Sequence, residues 1–202
     1  MGDALPHIAL IRHGETEWSR SGRHTGRTDV PLTDHGREQA LSVGRRLKDR
    51  AFIRVFSSPL QRATCTAQLA GFGALLEFDP DLLEWNYGDY EGRRRAEIHV
   101  ERPGWNVFRD GCPNGESLSD VSDRADRVVA RLRKADGDLA LFSHAHFLRV
   151  LTARWLGLDP LAARALVVHP VGVAVLGYEH GSREEPVLVR WNEECSVPLW
   201  HS

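Results

Sequence analysis

Apolar positions in this chain alternate between short solid runs and helix-spaced stripes. His7 to Ile11 is apolar after its first residue and ends in Arg12-His13-Gly14, which reads as a buried strand running into a loop. From Thr33 to Arg50, Ala40, Leu41, Gly44 and Leu47 follow helical spacing. Ile53 to Phe56 reads as a second strand. Ser58-Pro59 then has the form of an N-cap followed by proline at the first helical position, with Leu60, Ala63, Thr64 and Ala67 on one face. The strongest helix runs from Ser117 to Lys134. Ser117 and Asp120 stand at capping-box spacing, and Val121, Ala125, Val128, Val129 and Leu132 form a core stripe.

Asp138 to Phe142 reads as a strand ending at Ser143-His144. A helix follows, with Leu148, Leu151, Thr152 and Trp155 inward and Gly157 as its C-terminal stop. Leu166 to Tyr178 and Val187 to Trp191 complete the strands, and their closeness in sequence predicts that one strand runs antiparallel. This alternation predicts an α/β three-layer sandwich: a mostly parallel mixed sheet with helices on both faces. Residues 92–116, rich in Arg, Gly and Pro and weakly periodic, read as a short lid insertion instead of sheet or core helix. With 202 residues, residues 1–202 are expected to form a single domain.

Composition narrows the function. The 26 basic and 28 acidic residues leave a formal charge of −2, which argues against a nucleic-acid partner, whose binder would be basic overall. No run of 18 apolar residues is present, so no membrane span is expected. Met1 to Pro6 lacks a basic segment followed by an apolar one, so no secretory signal is expected and a cytoplasmic location follows. Cys65, Cys112 and Cys195 form no CxxC pair. They are expected as free thiols, with no zinc site and no disulfide framework.

Open α/β sheets bind ligands beyond the carboxyl ends of their strands. His13 and His144 each follow a strand, so neighbouring strands would bring both to one crevice. Around them stand five ordered segments. Arg12-His13-Gly14-Glu15-Thr16 resembles the RHGE(S/T) signature of the histidine phosphatase superfamily, in the branch that holds the cofactor-dependent phosphoglycerate mutases. Leu32 to Ala40 is similar to that family's LTxxGxxQA segment, and Ser57 to Ala63 to its SSPLxRA segment. Leu83 to Gly92 resembles its acidic LxExxxGxxEG loop, and Ser143-His144-Ala145-His146 its second histidine motif.

The resemblance implies a metal-independent, cofactor-free phosphatase. His13 is then the nucleophile, its attacking ring nitrogen freed because the other donates to a backbone carbonyl. Arg12 and Arg62 grip the phosphoryl oxygens, His144 adds a donor, and the start of the helix carrying Arg62 adds free N–H groups. Glu84 protonates the leaving alkoxide and then activates water, a role that calls for a raised pKa. The resemblance also assigns phosphate or substrate contacts to Thr25, Gly26, Tyr87, Ser19 and Ala145. Ser19 stands where the mutases carry Asn, and Ala145 where the family carries Gly.

The short stretch between the acidic loop and His144 departs from the mutases, which use a longer insertion to exclude water, and Glu84 to Gly92 resembles small sugar-phosphate phosphatases of the sedoheptulose-bisphosphatase type. The expected partner is a small phosphorylated sugar or sugar acid, with a homodimer also open. Arg93-Arg94-Arg95 reads first as a solvated charge run, yet some of these arginines, or Arg102 and Arg109, are candidates to hold a second anionic group. His146 is expected to pack or to support the site, and His24 and His35 receive no role. Three alternatives remain: a phosphoglycerate mutase, a metal-dependent hydrolase using His13, His144 and His146, and a non-catalytic sugar-phosphate sensor.

Overall fold

The computed structural model of the chain describes residues 5–193. Six strands form one sheet: β1 (Ile8–Arg12), β2 (Arg54–Ser57), β3 (Leu76–Phe78), β4 (Leu139–Ser143), β5 (Val173–Tyr178) and β6 (Pro186–Glu193). Their order is β3-β2-β4-β1-β5-β6. β1 to β4 pair in parallel, and β5 lies antiparallel to both β1 and β6, so one strand opposes the rest as expected. Seven α-helices are described: α1 (Glu17–Arg20), α2 (Asp34–Leu47), α3 (Gln61–Ala67), α4 (Arg95–Glu101), α5 (Val107–Asp110), α6 (Leu118–Leu132) and α7 (Ala145–Trp155).

Side chains alternate across the sheet and build a core on each face. Ile8, Leu10, Leu139, Leu141 and Leu176 meet the buried stripes of α6 and α7. Ala9, Ile11, Ala140, Phe142 and Val173 face the other way and meet Val43 and Leu47 of α2 and Ala67 of α3. This is the expected three-layer sandwich. The α6 stripe Val121, Ala125, Val128, Val129 and Leu132 is buried throughout, and Ser117 forms a reciprocal capping box with Asp120. Beyond α7, Gly157 takes a positive φ, and bonds from Gly157 N to Arg154 O (3.2 Å) and from Leu158 N to Ala153 O (2.9 Å) close the helix.

Four expectations need correction. The helix after β2 starts at Gln61 with Leu60 as its cap, not at Ser58-Pro59, although Ser58 Oγ accepts from the Leu60 N–H (3.4 Å) as well as from His144. In α2 the inward residue is Val43, while Leu41 is 46% exposed. The strand assigned from Leu166 is confined to Val173–Tyr178, since residues 166–172 form no strand. Residues 92–116 carry α4 and α5 and bury Ile98, Trp105, Val107 and Phe108 in the main core, so the segment is anchored and not a loose loop. Its Arg and Gly content masked those four widely spaced apolar residues. β3, three residues long, was too short for a periodic signal. No described helix is long and apolar enough to cross a membrane. Cys65 and Cys112 are free thiols, and Cys195 lies outside the described residues.

Candidate active site

β1 and β4 are adjacent and parallel, with Arg12 opposite Ser143. The next residue on each strand is a histidine, so backbone register alone sets His13 beside His144. Their ring centroids lie 5.2 Å apart, and both residues are buried. The Nδ1 of His13 is 2.7 Å from the Gly14 carbonyl oxygen, to which it can only donate. That leaves Nε2 with a free lone pair. Burial, followed by the charges of Arg62 and Arg12, holds the His13 imidazole well below its ordinary pKa, so the ring is neutral.

Gly14 is fixed in turn. Its N–H donates to Thr66 Oγ1 (3.1 Å), whose hydroxyl donates to Arg62 O (2.7 Å). A side chain at Gly14 would place Cβ 2.4 Å from the Gly36 carbonyl oxygen of α2, so this turn admits only glycine.

Arg62, the second residue of α3, has no exposed surface. Its Nε donates to His144 Nδ1 (3.2 Å), Nη1 to Thr28 O (3.0 Å), and Nη2 to Thr25 O (3.1 Å) and Gly26 O (2.8 Å). Among the described residues this guanidinium has no ion pair. A buried cation held by dipoles alone favours an incoming anion. Burial lowers its pKa, while Glu84 and Asp29 support the charge. The N-terminus of α3 is not open as expected: Gln61 N–H donates to Asp29 Oδ1 (2.9 Å).

Because the guanidinium must donate, His144 Nδ1 accepts, and its Nε2 proton points to Ser58 Oγ (2.8 Å). Both ring nitrogens of His144 are therefore occupied by protein groups. Burial and the Arg62 charge keep this imidazole neutral. Arg12 donates from Nη1 to Val168 O (2.6 Å), while its buried Nε has no partner. Burial brings its pKa down to about 10 against the support of Glu84 and Tyr87.

Glu84 sits after β3, in a segment tied to β4 by the Ser143 hydroxyl, which donates to Leu82 O (2.7 Å). Its carboxylate is buried. Oε1 accepts from Trp85 N–H and Phe147 N–H (both 2.9 Å), and Oε2 accepts from His146 N–H (3.1 Å). Glu84 thus caps the start of α7 while lying within electrostatic reach of Arg12, Arg62 and Arg27.

The remaining expected residues divide. Thr25 and Gly26 contribute backbone carbonyls to Arg62. Tyr87 is buried with its hydroxyl 2.6 Å from His146 Nδ1, and burial raises its pKa well above the ordinary value. Ser19 is engaged in the α1 capping box with Thr16. Ala145 opens α7. His35 is exposed near Glu38. Arg93 pairs with Glu101, and Arg102 and Arg109 face Asp110. None of these three lines the cavity beside the site.

Of the run Arg93-Arg94-Arg95, Arg95 does line that cavity, whose other residues sequence reasoning missed. The cavity measures about 170 Å³ and is lined by His24, Arg95, Trp105, His146, Arg149 and Arg164, among others. The His24 ring lies 4.8 Å from that of Tyr87, its Nε2 is buried without a partner, and burial then Arg95 lower its pKa to about 4. Arg149 is anchored by Ala163 O (2.9 Å) and Arg164 O (2.8 Å). Its place on α7, five residues after His144, was the available signal. No group of three His, Cys, Asp or Glu residues among the described residues is disposed to hold a metal ion.

The model of the histidine phosphatase superfamily (branch 1) matches residues 8–194. The acid phosphatase of Mycobacterium tuberculosis is 42% identical over 193 residues, covering 93% of this chain and 94% of that protein. The sedoheptulose 1,7-bisphosphatase of Saccharomyces cerevisiae is 36% identical, covering 93% of both. A solved structure of a Mycobacterium tuberculosis open reading frame product superposes with a TM-score of 0.88 at 38% identity, covering 94% of this chain and 98% of that one. With two imidazoles and two guanidiniums at the carboxyl ends of β1, β2 and β4, and with this match over nearly its whole length, the chain belongs to branch 1 of the histidine phosphatase superfamily.

Proposed function

We propose that the protein hydrolyses the phosphate monoester of a small sugar or sugar acid through a phosphohistidine at His13 Nε2, without a metal ion. The observation that carries this reading is the His13 tautomer: Nδ1 is committed to Gly14 O, and Nε2 is free between Arg12, Arg62 and His144. The Nε2 lone pair forms the N–P bond as the P–O ester bond breaks. The departing oxygen keeps the bonding pair and takes a proton from Glu84. In the second half, water attacks phosphorus, Glu84 accepts its proton, and the N–P pair returns to His13. Arg12, with a buried unpaired N–H, and Arg62, buried without an ion pair, hold the transferring oxygens.

The Arg95, Arg149 and Arg164 cavity beside Glu84 and Tyr87 favours a substrate with a second anionic group. The phosphatase names of the two relatives support hydrolysis over phosphate transfer between sugar-acid hydroxyls.

Quenched turnover should yield an acid-labile, base-stable phosphoenzyme that is lost in His13→Ala. Persistence of turnover in that variant overturns the nucleophile assignment. Retention of full rate in excess chelator is expected, and its loss would restore the metal-dependent reading. Incubation with 3-phosphoglycerate and a bisphosphoglycerate primer should release inorganic phosphate. Accumulation of 2-phosphoglycerate would make the protein a mutase.

A further inference from the structure

The turn formed by residues 25–28 has two sides. Its carbonyl side is taken by Arg62, through Thr25 O, Gly26 O and Thr28 O. Its N–H side is taken by one carboxylate. Glu91 Oε1 accepts from Arg27 N–H (2.6 Å), and Oε2 accepts from Thr28 N–H (2.8 Å) and Thr28 Oγ1 (2.5 Å). Glu91 follows the 3-10 turn Gly88–Tyr90, and its own N–H is bonded to Gly88 O (3.1 Å). The fit is close. A Cβ at Gly26 would fall 2.2 Å from Glu91 Oε1 and 2.7 Å from Trp85 O.

We propose that Glu91 is a positioning residue that orients the Arg62 guanidinium toward the phosphoryl group by clamping the peptide turn between them. This rests on the phosphohistidine reading of the site. The carboxylate draws charge-assisted bonds onto the turn's N–H groups. Hydrogen bonds in series polarise one another, so negative charge on one side of the turn makes its carbonyls better acceptors on the other. The guanidinium is then fixed in a plane from which Nε reaches His144 Nδ1. Arg62 thereby gains negative support without an ion pair that would compete with substrate for its charge. A carboxylate in direct contact with Arg62 would neutralise the group meant to hold phosphate.

The test is a double-mutant cycle read by p-nitrophenyl phosphate turnover and by competitive inhibition with inorganic phosphate. In the parent protein, Glu91→Ala should lower kcat/KM and weaken phosphate inhibition by roughly 10–100-fold, the range for residues that orient catalytic ligands. In an Arg62→Ala background, the same change should alter both by no more than about twofold. Glu91→Gln keeps one acceptor oxygen and should fall between, which keeps the cycle usable if the alanine variant does not fold. Equal losses in the two backgrounds, or no loss in the parent, overturn the proposal. Failure of the underlying reading is separable: His13→Ala would then keep turnover, whereas failure of the clamp alone leaves the phosphoenzyme dependent on His13 while the cycle becomes additive.

Discussion

Glu84→Gln should damage stability and chemistry by two separable routes. The carboxylate receives three backbone N–H groups, two from the first turn of α7. A glutamine can keep its oxygen on the Trp85 and Phe147 donors, but its NH2 then faces the His146 N–H, donor against donor. Losing one charge-assisted bond costs about 1.5–3 kcal/mol, and losing a negative charge at a helix N-terminus adds about 0.3–1 kcal/mol. The sum is about 2–4 kcal/mol. For a chain of 202 residues this corresponds to a fall in Tm of roughly 4–16 °C. Below that Tm the folded variant should lose about 10²–10⁴ in kcat on alkyl phosphates, which need a proton on the leaving oxygen, and far less on p-nitrophenyl phosphate. Scanning calorimetry and parallel turnover on both substrates measure the two effects. A Tm within about 2 °C of the parent refutes the capping argument. Equal loss on both leaving groups refutes the acid assignment.

Stability should fall below neutral pH. Burial and then Arg62 hold His13 and His144 well below 6.5 in the fold, so the unfolded chain takes up protons first. This contribution is complete above pH 6.5 and is lost as pH drops, at up to about 2.7 kcal/mol per pH unit for two protons. Urea titrations between pH 7.5 and 5 should show it, and a flat profile contradicts it. Arg149→Met should raise KM for substrates bearing a second anionic group by about 10-fold or more and leave simple monoesters nearly untouched. A uniform effect across both classes would remove the cavity from specificity. Gly26→Ala should cut turnover at least as strongly as Glu91→Ala, because its Cβ meets backbone at Trp85 as well as the carboxylate. Wild-type rates for this variant would show that the turn yields without cost.

The sheet, its two covering layers and the juxtaposition of His13 and His144 were legible because each rests on local patterning. Solid apolar runs marked β1 and β4, and the residues that follow them are the proposed nucleophile His13 and its neighbour His144. Less legible were features set by contacts across the chain. Ser58 is a sound helix cap on sequence grounds, yet its hydroxyl is shared between His144 and the Leu60 N–H, and the helix starts at Gln61. Glu84 was expected as an acid, but its capping of α7 needs two segments brought together 63 residues apart. Of the arginine run only Arg95 lines the cavity beside Glu84, where Arg149 and Arg164 join it from separate elements. Residues 92–116 read as a lid insertion without core helix because composition outweighed four apolar residues that only tertiary packing makes a cluster.

The pairing of β1 with β4 works as a gauge. Neighbouring strands are spaced about 4.8 Å apart by their peptide bonds, and the two rings that follow them inherit that spacing, with centroids at 5.2 Å. The span between the proposed nucleophile His13 and His144 is thus set by main-chain geometry. The side chains of the neighbouring cavity, several of them from residues 92–116, can change while the two rings keep their distance.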